Sequence, residues 1–154
     1  SWDRLPDSPP MPRDPAGAQA VFAAGIERMR ASFPTLQVMT TTRRAVHSAS
    51  RNGWGAFAWS ADSGVVVEPG FEDLEILDRV GGGDAFAAGL ICSLMEGRSL
   101  PEALRVGVAS GAYAVTTPGD VSQAHRHEVQ RLAAELLPDA GEHISLAAIR
   151  RDAL

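Results

Sequence analysis

Apolar side chains recur along residues 16–33 at Ala18, Val21, Phe22, Gly25, Ile26, Met29 and Phe33, the spacing of one helix face. Pro34 closes that helix, because the residue before a proline avoids the α region. The pattern then shortens. Leu36 to Thr41 reads as a strand, Trp54 to Trp59 as a second and Val65 to Glu68 as a third. Asn52-Gly53 and Asp62-Ser63-Gly64 supply turn signals, and Leu74 to Leu77 reads as a short fourth strand.

Helical spacing returns after three consecutive glycines. Asp84 to Glu96 places Phe86, Leu90, Ile91, Leu94 and Met95 on one face, and Gly97 is a natural stop. Residues 100–116 align Leu100, Leu104, Val108, Ala112 and Val115, with small residues Gly107, Ser110, Gly111 and Ala114 permitting close approach by backbone or ligand. A further helix is expected from about Ser122 to Leu137 and a short one over residues 145–152. A helix, a run of strands and then helices point to an α/β layered domain over 16–154, incomplete on its N-terminal side. Residues 1–15, with five prolines, read as linker or extended segment, so the sequence is expected to open inside a longer protein.

Composition changes this picture little. The 154 residues are 45% hydrophobic and 21% charged, as in globular proteins. The net charge of -5 offers no basic face for nucleic acid. No apolar run approaches the roughly 20 residues of a membrane span. The lone Cys92 excludes an intrachain disulfide and reads as a core thiol; together these features suggest a cytoplasmic protein.

The chemistry concentrates at Gly81-Gly82-Gly83-Asp84. Glycines let the backbone approach a ligand closely, and a helix start offers unpaired N–H groups and a positive dipole end to phosphate. An aspartate at the rim of such a site can take the proton of an attacking hydroxyl during phosphoryl transfer. The residues alone equally allow Asp84 to be a helix cap.

The stretch Asp78 to Ile91 resembles the second signature of the PfkB/ribokinase carbohydrate kinases. Arg79 departs from most of the family but, with the triple glycine, resembles its 2-keto-3-deoxygluconate kinase branch. The resemblance implies a ribokinase-like three-layer α/β/α sandwich, represented by its C-terminal nucleotide-binding part. It implies Asp84 as catalytic base and Gly81, Gly82 and Gly83 as the anion hole. Thr117-Pro118-Gly119 resembles the family's closing turn beside the nucleotide. By the same resemblance Asp120 would hold the sugar acid, although Asp120 to Gln123 also fits a capping box. Thr42 and Arg43, expected just after a strand, and Asn52 and Gly53 would contribute nucleotide contacts. The alternative for these four is a polar loop.

The resemblance therefore implies transfer of the ATP γ-phosphate, with Mg2+, to a hydroxyl of a sugar acid, 2-keto-3-deoxygluconate first. Other acceptors (fructose, ribose or a nucleoside) and a non-catalytic nucleotide-binding fragment stay open, as does a homo-oligomer through the missing lid region. Much of the family's sugar site lies in the N-terminal half, to which residues 1–33 bear no resemblance.

Overall fold

The structure, a computed structural model, describes residue 12 and residues 14–119 and 122–137. Three antiparallel strands form one sheet in the order β1 (Val38–Val46), β2 (Arg51–Ser60), β3 (Gly64–Glu75). Four helices accompany them among the described residues: α1 (Pro15–Ser32), α2 (Gly82–Met95), α3 (Leu100–Val115) and α4 (Arg126–Ala134).

Alternation along β2 assigns the two faces of the sheet. Phe57 points to one side, where it joins Ala18, Phe22 and Ile26 of α1. The Phe22 and Phe57 rings stack with centroids 5.6 Å apart. Trp54, Ala56 and Ala58 point to the other side, into a core with Leu104, Val108, Ala112 and Val115 of α3. The result is the expected helix–sheet–helix layering. α1 starts at Pro15, with Asp14 as N-cap accepting a 2.6 Å hydrogen bond from the Gly17 N–H.

The third and fourth expected strands are one continuous β3. Pro69-Gly70, which lies between them, is accommodated by shifts in the pairing with β2 between Asn52 and Trp54 and between Trp54 and Ala56. Gly70 has φ +70° and lies so near β2 that a β-carbon there would sit 2.0 Å from the Trp54 carbonyl oxygen. Beside this bulge, buried Glu68 accepts a 3.2 Å hydrogen bond from the Gly70 N–H and pairs with Arg105 of α3 at 3.4 Å. Burial pushes the Glu68 carboxyl above the usual carboxylate range, against the opposing pull of the Gly70 amide and Arg105.

The small residues of α3 serve a backbone approach. α2 packs against α3 so closely that a β-carbon on Gly107 would come within 3.1 Å of the Phe86 carbonyl oxygen, and one on Gly89 within 2.2 Å of the Ser110 hydroxyl oxygen. Phe86, Leu90 and Ser93 form the buried face of α2, while Asp84, Ala88, Ile91 and Met95 lie exposed. Ile91 and Met95 were expected in the apolar face; the glycine-lined contact with α3 selects Phe86 and Leu90 instead. Cys92, expected in the core, is exposed for the same reason. α4 begins at Arg126, later than expected, and the helix expected over 145–152 lies outside the described residues.

Candidate active site

The start of α2 is built from three features. β3 ends at Glu75, and the chain is then tied to α3 by hydrogen bonds from the Leu77 and Asp78 N–H groups to the Val115 carbonyl, at 2.9 and 3.3 Å. Asp78 next folds back, its carboxylate accepting from the Val80 N–H at 3.0 Å. The Arg79 guanidinium donates to the Ala49 carbonyl, pinning the glycine loop to the β1–β2 connection. Arg79 is thus a strut of this loop.

Gly81 is the N-cap of α2, with φ +80°, a left-handed conformation that favours glycine. Its carbonyl accepts the Ala85 N–H at 2.9 Å, and no side chain among the described residues caps this helix start. The N–H groups of Gly82, Gly83 and Asp84 have no backbone acceptor among the described residues. The helix therefore begins two residues before the expected Asp84, and Asp84 is not its N-cap. Asp84 sits in the first turn, exposed, and makes no hydrogen bond or ion pair among the described residues.

A groove of about 400 Å³ starts beside this end and runs along α2 toward α4. Ala85, Ala88, Gly89 and Cys92 line one wall, Val106 and Ser110 the other. Its floor is apolar over the first two turns, and Glu96, Arg98 and Arg126 supply charge at the far end. Arg126 is paired there with Glu96 at 2.5 Å.

The remaining expected site residues divide. Thr42 and Arg43 lie inside β1 rather than after it, paired with Ala56 and Gly55. Cross-strand partners share a face. Thr42 therefore faces the α2–α3 layer with Ala56, while Arg43 faces the α1 layer. Arg44, opposite Trp54, shares the α2–α3 face and stays exposed. The sequence reading passed over Arg44; only the β1–β2 register could have chosen between the two arginines.

Asn52 and Gly53 are both buried in β2. Asn52 has no exposed surface, and neither its amide nitrogen nor its amide oxygen has a partner among the described residues. It lies on the Trp54 side of β2. Asp120 lies outside the described residues.

The fold and this loop define a class, the ribokinase-like kinases. The family profile described as pfkB family carbohydrate kinase matches residues 38–126. The chain belongs to that family. It is 33% identical over 113 residues to a cytidine kinase from Thermococcus kodakarensis, covering 63% of this chain and 41% of that protein. It is 44% identical over 46 residues to the 2-dehydro-3-deoxygluconokinase of Bacillus subtilis, covering 30% of this chain and 14% of that one. The crystal structure of a 2-dehydro-3-deoxygluconokinase from Thermotoga maritima superposes with a TM-score of 0.68 at 24% identity, over 75% of this chain and 34% of that chain. At that identity the likeness establishes the fold. The chain spans well under half the length of these relatives.

Proposed function

We propose that this chain carries the nucleotide side of a sugar-kinase site, where Asp84 serves as base in transfer of the ATP γ-phosphate to a hydroxyl of a sugar acid, 2-keto-3-deoxygluconate. The observation that carries the reading is the start of α2, which has no side-chain cap among the described residues, with a carboxylate in its first turn that has no partner among them.

The chemistry follows from the local geometry. The N–H groups of Gly82, Gly83 and Asp84 point out of the helix start and would hold the transferring phosphoryl and the negative charge that builds on its oxygens. The Asp84 carboxylate accepts the proton of the acceptor hydroxyl as that oxygen bonds to phosphorus. The bond from phosphorus to the bridging oxygen breaks at the same time, and ADP leaves. The groove beginning at Ala85 offers an apolar bed for the nucleoside part of ATP. Mg2+ would arrive on the nucleotide phosphates, neutralising their charge. Arg44 and Thr42, on the α2–α3 face of β1, are the side chains of that strand suited to support the phosphates.

The preference for a sugar acid rests on the local likeness to 2-dehydro-3-deoxygluconokinases, 44% identical over the 46 matched residues. The cytidine kinase likeness favours a nucleoside acceptor as the second reading. Asp84 faces outward on an otherwise apolar stripe of Ala88, Ile91 and Met95. The acceptor is accordingly expected to be held by parts of the kinase beyond this chain.

The test is ATP-dependent phosphorylation by the complete kinase, with 2-keto-3-deoxygluconate and cytidine compared. Asp84→Asn should lower turnover by roughly 10²–10⁴-fold, the range supplied by general base catalysis, while ATP affinity changes little. Equal turnover in parent and variant would remove Asp84 from the base role. Preference for cytidine would replace the acceptor.

A further inference from the structure

We propose that Trp54 is a positioning residue, whose indole sets the position of the phosphate-binding helix start and with it the position of Asp84. Trp54 belongs to β2, yet its ring reaches the junction of α2 and α3. A β-carbon on Gly111 of α3 would lie 2.6 Å from the indole Cζ2 and 2.9 Å from Cε2. One on Gly82 of α2 would lie 3.4 Å from the indole Cη2. The ring therefore packs tightly on α3 at Gly111 and lies beside α2 at Gly82, two positions at which the helices carry no side chain. The two glycines also meet each other: a β-carbon on Gly111 would come 3.0 Å from the Gly82 carbonyl oxygen.

This contact falls within the anion-binding turn itself. Gly82 is the first residue of α2, and its N–H is one of the donors left open there. The indole borders that residue together with the Val115 Cγ1, the nearest atom to its β-carbon position at 2.5 Å. The remaining tethers of the loop come from its other sides: the Val115 carbonyl below Leu77 and Asp78, and the Ala49 carbonyl holding Arg79. Without the ring, Gly82 keeps the Val115 side chain but loses the aromatic wall beside it, and glycines have little intrinsic resistance to moving.

The choice of tryptophan is costly, which argues that its shape matters. Trp54 is only 7% exposed, and its indole N–H has no partner among the described residues. A buried donor without an acceptor is unfavourable. Phenylalanine would avoid that cost but is shorter by the six-membered ring's reach, which supplies Cζ2 and Cη2.

The binding part of this proposal rests on the kinase reading above; the positional part does not. The experiment therefore has two readouts, made on the parent, Trp54→Leu and Trp54→Phe. Amide hydrogen exchange is followed at Ala85, whose N–H bonds the Gly81 carbonyl, and at Phe86, the next amide of the same turn. Trp54→Leu should speed exchange there by about tenfold, a local loosening, while the α3 interior keeps its protection. Trp54→Phe should fall between. ATP affinity, measured by calorimetry, should drop in the same order. Unchanged exchange at Ala85 and Phe86 in folded Trp54→Leu overturns the proposal, as does faster exchange spread evenly over the sheet and helices. If Trp54→Leu fails to fold, Trp54 is observed alone in a Trp2→Phe/Trp59→Phe background. Saturating ATP should then change its emission, and no change on calorimetrically verified binding overturns the proposal. If the parent binds no ATP, the kinase reading fails, and exchange in the Trp54→Phe variant still decides the role of Trp54.

Discussion

Gly82 lies so close to Val115 that a β-carbon on the glycine would come within 2.5 Å of the valine Cγ1. The first residue of α2 is thereby pressed against the last residue of α3. Gly83, its neighbour, has nothing within 4 Å of the corresponding position. Adjacent glycines in one motif thus have different duties. Gly82→Ala should destabilise the chain by about 1–3 kcal/mol, the usual cost of overpacking, seen as a lower midpoint in urea. Gly83→Ala should fold as well as the parent, since alanine is the better helix former. Its methyl group would point outward beside the open amides, so nucleotide affinity should fall instead. Loss of stability in both variants, or in neither, would contradict this division.

Glu68 and Arg105 make the second prediction. The pair crosses from the β3 bulge to α3, and the carboxyl is buried enough to raise its pKa in the folded state. A folded value above the unfolded one means that the native state holds the proton more tightly. Glu68 therefore contributes stability at pH values below its unfolded pKa, near 4.5 for a free glutamate. That contribution is lost as the pH rises through the raised folded value. Glu102 and Glu128 have lowered values and act in the opposite direction, so only a difference measurement isolates Glu68. Melting temperatures of parent and Glu68→Gln should be compared from pH 4 to pH 8. The stability advantage of the parent over the variant should shrink as pH rises from about the ordinary glutamate value. A difference that stays flat with pH would show that burial does not control this carboxyl.

Much of this arrangement was legible in the chain. Phe22 and Ile26 carry their burial in their helical spacing, whereas β2 is buried on both faces from Asn52 to Ala58, which alternation alone does not give. The glycine run before Phe86 announced a helix start suited to an anion. What escaped had a tertiary cause. Pro69-Gly70 signals a break, but pairing with β2 carries the strand through it. The apolar face of α2 could not be chosen between Phe86–Leu90 and Ile91–Met95 by hydrophobicity, because both stripes are apolar. Gly107 and Gly111 on a different helix decide it. Arg43 and Arg44 are adjacent in sequence and lie on opposite faces of the sheet, a distinction set by the pairing of β1 with β2.

Cys92 turns the groove into something measurable. The thiol was expected in the core because its neighbours Ile91 and Leu94 are apolar; the structure leaves it exposed, on the wall of the groove that begins at Ala85. Thiol reactivity requires access, and a buried cysteine waits for unfolding. Cys92 should therefore react with a disulfide reagent such as DTNB in the folded chain, at one equivalent and without denaturant. Ala88 and Gly89 precede Cys92 on the same wall, between it and the open amides of Gly82 and Gly83. If the nucleoside part of ATP occupies the groove, saturating ATP should slow labelling, and inorganic phosphate, which fills only the helix start, should not. Slowing by both ligands would place the effect in a change of the helix start. Equal labelling with and without bound ATP would move the nucleoside out of this groove, leaving the phosphate site at Gly82 and Gly83 as a separate question answered by the Gly83→Ala affinity.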